Sequence, residues 1–458
     1  MGSLAGLLKD AGHEVSGSDV GFYPPMAEKL REWRIPTIEG YLESHVTPDI
    51  EMVIVGNACR KDNPEARAAF EKGIRVLSFP LAVREFFLSN QKSIVVTGTH
   101  GKTTTTALLA YLLVEAGQDP SFLVGGIPRN FGKSYRLGDG DMFVIEGDEY
   151  DSAFFDKRPK FLHYRPNIAV LTSVEYDHAD IYPDMSAYRA AFAQFLDLLP
   201  SNGLLLAYSD DPEVEDLMSR AGCRVIPYGL GEHQIGWRAV DIKPDGQGMR
   251  FRLMIYGKRK DEFFVPLPGR HNVANTLAAL AVAHHLGVSL EDLARYLSGF
   301  QSVTRRMEIR GVQNGVTVLD DFAHHPTAVR ETLDAVRNNY PSAHLVAVFE
   351  PRTNTSRRNI FQNQYSVSFT GADQVIVLPP FRAEQIPEGD RFDSSTLVQA
   401  LIDHGQKAQC MESVERVVAH LTETLEPGSV VLIMSNGAVD NIHNKLLDAL
   451  RQKESSQK

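Results

Sequence analysis

Residues 93–97 (SIVVT) form a β-branched run that passes straight into Gly98-Thr99-His100-Gly101-Lys102-Thr103-Thr104, after which residues 107–116 read as an amphipathic helix. A strand, a glycine-bearing turn and a helix in this order leave few folds open. The turn's backbone N–H groups and the helix N-terminus converge on one point and favour an anion there. Triphosphate is the natural guest, with Lys102 neutralising the β/γ-phosphates and the Thr103 hydroxyl placed to bind Mg2+. Only two residues separate the two glycines, Gly98 and Gly101, where the common phosphate loop has four. A plain strand-to-helix turn is the alternative, and the flanking strand and helix weigh against it.

The rest of the chain alternates in the same way. Residues 1–11 read as a helix, 14–16 as extended chain, 25–33 as a helix and 52–55 as a short buried strand. Gly2, Gly6 and Gly12 lie near a helix opening, without the strand and glycine-rich turn that a dinucleotide fold places ahead of it. After the loop, strands are expected at 143–146, 168–172 and 204–207. Residues 261–268 read as an antiparallel addition behind a charged turn at Lys258-Arg259-Lys260. A new alternation follows Phe300, with strands expected at 316–319, 344–349, 374–378 and 429–434.

A length of 458 residues exceeds what one core serves. The pattern divides it into three α/β domains. The first is Rossmann-like over 1–90, with its first strand missing; the second is central and P-loop ATPase-like over 91–302; the third is Rossmann-like over 303–458. The polar stretch 452–458 is expected to fray.

Composition narrows the partners. A net charge of -11 disfavours non-specific attraction to nucleic acid or an anionic membrane, so neither is expected as a partner. No apolar run approaches the roughly 20 residues that span a bilayer, and a cytoplasmic location is expected. Cys59, Cys223 and Cys410 lie far apart without metal-like spacing and read as reduced thiols.

Four further stretches carry chemistry. Residues 143–151 (FVIEGDEYD) run a strand into a carboxylate cluster, a layout suited to hard oxygen ligands for Mg2+. Residues 173–180 (SVEYDHAD) again bring carboxylates and an imidazole to a strand end. In residues 268–279 (PGRHNVANTLAA), Asn272 and Asn275 share one helix face, although Asn272 also reads as an N-cap. Arg305 and Arg306, in TRRME, are guanidiniums of the kind that suit phosphoryl oxygens.

The loop form G-T-x-G-K-T-T, followed in order by the acidic strand end, the D-H pair, the G-x-H-N-x-x-N-x-x-A-A stretch and Asp320-Asp321-Phe322-Ala323-His324-His325-Pro326, resembles the Mur ligases of bacterial peptidoglycan metabolism. The resemblance covers nearly the whole chain. It implies an ATP-dependent amide ligase that works through an acyl phosphate. Gly98 to Thr104, Asn272, Asn275, Arg306 and Asp321 would bind ATP. Thr103, Glu146 and His178 would hold Mg2+, with weaker claims for Glu149 and Asp151. Lys102, Glu146, His178, Arg306, His324 and His325 would surround the reacting groups, either of the last two being a candidate general base.

On the sugar-nucleotide side the resemblance leaves only Ser18 and Asp19 from the first βαβ unit. Five stretches resemble the branch of the family that joins UDP-N-acetylmuramate to the murein tripeptide L-alanyl-γ-D-glutamyl-meso-diaminopimelate in peptidoglycan recycling. They are Tyr23-Pro24-Pro25-Met26, Val55-Gly56-Asn57, residues 154–166, Glu350-Pro351-Arg352-Thr353-Asn354-Thr355 and Met434-Ser435-Asn436-Gly437. Arg352, Thr353 and Asn354 would then face the peptide, whose carboxylates need donors. Two alternatives stay open at this point: ligation of L-alanine to the same nucleotide sugar, and an ATP-binding regulatory protein without ligase activity.

Overall fold

The computed structural model describes residues 1–23, 26–231 and 235–457. The strand that leads into the glycine loop, Lys92–Thr97, lies inside a ten-stranded sheet. Met142–Gly147 flanks it on one side and Ile168–Leu171 on the other, both parallel, with Thr97 level with Gly147 and with Leu171. These strands are almost wholly buried and apolar, as strands covered on both faces are. Three carboxyl ends therefore open at one edge, where α/β sheets collect their ligand groups.

Beyond Ile168–Leu171 the sheet continues in parallel through Leu204–Tyr208, Arg224–Leu230 and Trp237–Asp245. Gly248–Ile255 and Lys258–Val265 then add antiparallel strands. Lys258, Arg259 and Lys260 open the last strand instead of forming the turn. The turn is Tyr256-Gly257, both at positive φ.

The helix after the loop runs from Lys102 to Glu115 and is buried continuously from Thr103 to Leu113. It is therefore not amphipathic. The reason is a second helix, Arg270–His285, packed against it and itself buried from Asn272 to Ala283, so neither has a broad solvent face. Among the described residues no helix is long and apolar enough to cross a membrane.

Ahead of this sheet, Gly17–Asp19 pairs in parallel with Thr37–Glu39, and Met52–Val55 with Arg75–Ser78. The extended stretch thus falls at 17–19 and not at 14–16. Helices Gly2–Asp10 and Met26–Glu32 accompany these strands, while Pro24 and Pro25 lie outside the described residues. Gly6 serves packing: a Cβ there would collide with the ring of Tyr135, which is buried at the sheet edge and meets Trp33 edge-on at 4.9 Å.

After residue 303 a six-stranded sheet forms in the order Glu308–Gln313, Val316–Asp321, Val430–Met434, Leu345–Phe349, Gln374–Val377 and Lys407–Cys410. All but the first pairing are parallel. The last helix, Ile442–Gln457, takes in most of the polar stretch expected to fray, because Lys453 Nζ donates to the Thr422 carbonyl at 2.6 Å; Lys458 lies outside the described residues.

Gly6→Ala tests the contact between the first helix and the central sheet. Overpacking against Tyr135 costs about 1–3 kcal/mol, offset in part by the better helix propensity of alanine, about 1 kcal/mol. The variant is expected to lose up to roughly 2 kcal/mol net, read as a shift of the first urea unfolding transition to lower urea.

Candidate active site

The loop's shape follows from its two glycines. Gly98 and Gly101 have φ of 129° and 79°. Each is also walled in: a Cβ on Gly98 would strike Thr172 and Ser173, and one on Gly101 would strike the Asn275 amide. The Thr99 and His100 amides donate to the Ser173 carbonyl and to Ser173 Oγ, both at 2.9 Å, which ties the loop to the neighbouring strand end. No side chain caps the helix that begins at Lys102, so its first-turn amides are left facing the loop's mouth.

At the centre stands Glu149, whose side chain is 1% exposed. Lys102 Nζ donates to its two oxygens at 3.0 and 3.1 Å, and also to the Gly98 carbonyl at 2.5 Å. His178 Nε2 lies 2.8 Å from the same carboxylate, and Tyr188 donates to it at 3.3 Å. Tyr182 secures the Glu149 carbonyl at 2.7 Å. Burial works to raise the pKa of Glu149, but Lys102 and His178 outweigh it and bring the group from 4.5 down to about 2. For Lys102 burial opposes the charge, and Glu149, then Asp148 and Glu146, more than restore it. Sequence reasoning gave Glu149 the weaker claim because an acidic string at a strand end reads as solvated.

Thr103 and Glu146 form a second pair alongside. Thr103 Oγ1 donates to Glu146 at 2.8 Å, and the Gly125 amide donates to the other carboxylate oxygen at 2.7 Å. Burial, with Asp148, raises the Glu146 pKa. A hydroxyl and a carboxylate side by side are hard oxygen donors, so these two residues fit Mg2+. His178 sits with Glu149 instead, at a left-handed φ of 55°. Burial disfavours its charged form, yet Asp177 and Glu149 raise its pKa. Asp151 lies apart, paired with Lys157 at 2.5 Å.

The C-terminal sheet closes over this edge. Arg306 reaches across to Thr103 Oγ1 at 3.3 Å with its guanidinium 5.1 Å from the Phe322 ring centroid. Arg305 turns the other way, to the Ser435 and Gly437 carbonyls at 2.6 and 2.8 Å. Asp321 accepts from the Met307 and Ala323 amides, both at 2.7 Å, and burial raises its pKa. His324 Nδ1 donates to the Phe322 carbonyl at 2.9 Å. His325 caps the helix Pro326–Asn339, and burial, followed by the nearby His100, holds its pKa down at about 3, so it is neutral at pH 7.

Asn272 and Asn275 are both buried and bonded to each other at 3.2 Å behind Gly101. Asn272 is not the N-cap of its helix. Gly269, at φ 93°, holds that place, and the Asn272 side-chain Nδ2 donates back to the Pro268 carbonyl at 2.7 Å. Arg352 lies 3.7 Å from the Phe381 ring centroid and 3.2 Å from Glu350. Thr353 bonds to Ser356, and Asn354 donates to Asp180 of the central part at 2.7 Å. Ser18 and Asp19 are engaged within residues 1–90, by Glu65 and by the Val20 amide and Tyr41. The residues that sequence reasoning did not single out, Glu175 and Asp177, were inside a string it quoted; only the fold shows that Glu175 meets His100 at 2.7 Å and that burial of Asp177 is outweighed by His178, His324 and His325, which hold it well below the carboxylate range.

Fold and site together define a three-part α/β enzyme of the phosphate-loop type. Family models match along its length: "Mur ligase family, catalytic domain" over residues 1–90, "Mur ligase middle domain" over 96–283 and "Mur ligase, glutamate ligase domain" over 305–437. The chain is 39% identical over 454 residues to the UDP-N-acetylmuramate--L-alanyl-gamma-D-glutamyl-meso-2,6-diaminoheptandioate ligase of Escherichia coli, which spans 99% of this chain and 96% of that protein. It is 33% identical over 452 residues to a UDP-N-acetylmuramate--L-alanine ligase of Desulforapulum autotrophicum, covering 98% and 96%. The crystal structure of a murein peptide ligase from Psychrobacter arcticus superposes with a TM-score of 0.74 at 35% identity, over 98% of this chain and 96% of that one. A UDP-N-acetylmuramate-alanine ligase from Thermotoga maritima shares the fold, with a TM-score of 0.81 at 23% identity over 100% and 97% of the two chains. The chain belongs to the Mur ligase family and is a ligase.

Glu149→Gln tests the buried ion pair. It leaves the Lys102 ammonium without its main counter-charge and is expected to cost about 3–5 kcal/mol. The folded-state pKa of Glu149 is depressed, so its contribution is present above pH 4.5 and lost as the pH falls towards 2. Thermal melts across that range should show an acid-sensitive component in the native chain that the variant lacks.

Proposed function

We propose that the chain joins the lactyl carboxylate of UDP-N-acetylmuramate to the amine of the tripeptide L-alanyl-γ-D-glutamyl-meso-diaminopimelate, with ATP converted to ADP and phosphate. The observation that carries this reading is similarity at 39% identity, over 99% of this chain, to the Escherichia coli ligase of that name, combined with a phosphate loop that meets an arginine from the segment leading into the C-terminal sheet. The same reading takes residues 1–90 as the sugar-nucleotide domain, 91–302 as the ATP domain and 303–458 as the peptide domain. The first-turn amides after Gly101 and the Lys102 ammonium receive the phosphates, and Asn272 and Asn275 line the nucleotide side. Ser18 and Asp19 belong to the sugar-nucleotide end.

In the reaction a muramate carboxylate oxygen attacks the γ-phosphorus and ADP leaves. The tripeptide amine then attacks the acyl carbon, loses a proton, and phosphate departs. Thr103 and Glu146 would hold Mg2+, with His178 beside Glu149, and the ion would supply charge neutralisation at the phosphate oxygens. Lys102 and Arg306 converge on the same place from opposite domains and stabilise charge as it spreads in line. His324, whose Nδ1 proton is held by the Phe322 carbonyl, keeps Nε2 open to take a proton, whereas both nitrogens of His325 are engaged, by Thr327 and Tyr176. Closure of the C-terminal part keeps water from the acyl phosphate. The turn Arg352 to Asn354 faces the peptide, where a guanidinium suits carboxylates.

Product formation with tripeptide and with L-alanine, each offered with UDP-N-acetylmuramate and ATP, tests the substrate. Tripeptide ligation is expected to dominate, and preferential alanine ligation would overturn the reading. ATP turnover indifferent to both substrates would point to a regulatory protein. Glu146→Ala is expected to raise the Mg2+ concentration for half-maximal rate by about tenfold or more; a Mg2+ titration of the initial rate checks it.

A further inference from the structure

Between the phosphate loop and the C-terminal sheet lies a group that the ligation chemistry does not use as a unit. His100 comes from the loop, Glu175 from the segment after Ile168–Leu171, and His325 from the far domain. His100 Nε2 is 2.7 Å and His325 Nδ1 is 3.5 Å from the same Glu175 oxygen, the two imidazole centroids are 4.7 Å apart, and the donor atoms all lie within 4.8 Å of one another.

Each of these groups is held from behind. Thr327 Oγ1 donates to the other Glu175 oxygen at 3.1 Å, and Thr99 Oγ1 bonds the Glu175 carbonyl and amide at 2.8 and 2.9 Å. The Thr327 amide donates to His325 Nδ1 at 3.3 Å, so the proton of that ring is on Nε2, which donates to the Tyr176 carbonyl at 3.3 Å. The 3.5 Å between Nδ1 and the Glu175 oxygen therefore carries no proton, and the one Nδ1 lone pair is taken only by this long helix-cap bond, which a metal ion would displace. A histidine whose second nitrogen is fixed by a backbone carbonyl is the usual outer support of a metal ligand.

We infer that His100, Glu175 and His325 form a binding site for a zinc-class divalent cation that ties the central and C-terminal domains together. Two imidazoles and one carboxylate, with positions left for water, suit Zn2+ or Co2+, whereas Mg2+ prefers oxygen ligands throughout. Metal binding moves the His100 ring proton to Nδ1 and frees Nε2. A cleft of about 390 Å³ lined by Glu175, Tyr176, His325 and Thr327 gives the ion a way in. Because the ligands come from two domains, the bound ion holds the closed arrangement.

Cobalt titration of the full chain tests this without any need for turnover, so failure of the substrate reading leaves it untouched. One Co2+ should bind with visible d–d absorption, displaced by Zn2+ and not by excess Mg2+. Glu175→Gln and His325→Asn, the second retaining a helix cap, should each weaken it by more than about tenfold. His178→Ala should leave it in place. X-ray absorption of the native cobalt complex should show two imidazoles. Absence of binding, a single imidazole, loss of the signal in His178→Ala, or affinity unchanged by both ligand variants would overturn the site.

Discussion

A buried carboxylate must be met by charge and hydrogen bonds, and Glu149 is such a group. Its partners come from three places: Lys102 from the phosphate loop, His178 from the next strand end, and Tyr188 from the helix Met185–Leu196. Satisfying one carboxylate therefore fixes the relative position of all three. The parallel register that sets Thr97 level with Gly147 and Leu171 makes this possible, because it brings the three strand ends to one height. A slip in either pairing would strand the charge.

That dependence also explains what was legible beforehand. The phosphate loop was readable because its requirements are local: Gly98 and Gly101 occupy left-handed or crowded positions, and their spacing is visible in seven residues. The strands around it were readable from β-branched runs. Glu149 was not, because its burial depends on strands and helices far away in sequence, and the same letters on a surface would be a solvated turn. The helix Lys102–Glu115 misled for a related reason: periodicity speaks of a solvent face, and packing against Arg270–His285 removes it. Asn272 looked like a cap until Gly269 took that position. Order along the chain carried the family resemblance, whereas the pairing of Glu175 with His100 and His325 exists only once two domains meet.

The glycines of the first helix show the limits of reading residue type alone. Gly6 lies near a helix opening without the strand and glycine-rich turn of a nucleotide fold ahead of it, and its missing side chain admits the Tyr135 ring. It couples the first part of the chain to the edge of the central sheet. A small residue can mark a ligand or a neighbour, and only the opposing surface tells which.

The passage from the central to the C-terminal sheet is short and shaped by left-handed residues, Ser302, Arg305 and Met307, at φ of 68°, 60° and 45°. On one side it is fastened by the Arg129 amide to the Ser302 carbonyl and the Thr304 amide to the Ile127 carbonyl; on the other, by the Phe322 amide to the Arg305 carbonyl. Arg306 stands in the middle of this passage. Pivot and reaching arm are thus one segment, and any swing of the C-terminal sheet carries the guanidinium off Thr103 at the same moment. The joint between the two sheets is in this way an interlock, in which one segment sets both where the C-terminal sheet sits and where the Arg306 guanidinium meets Thr103.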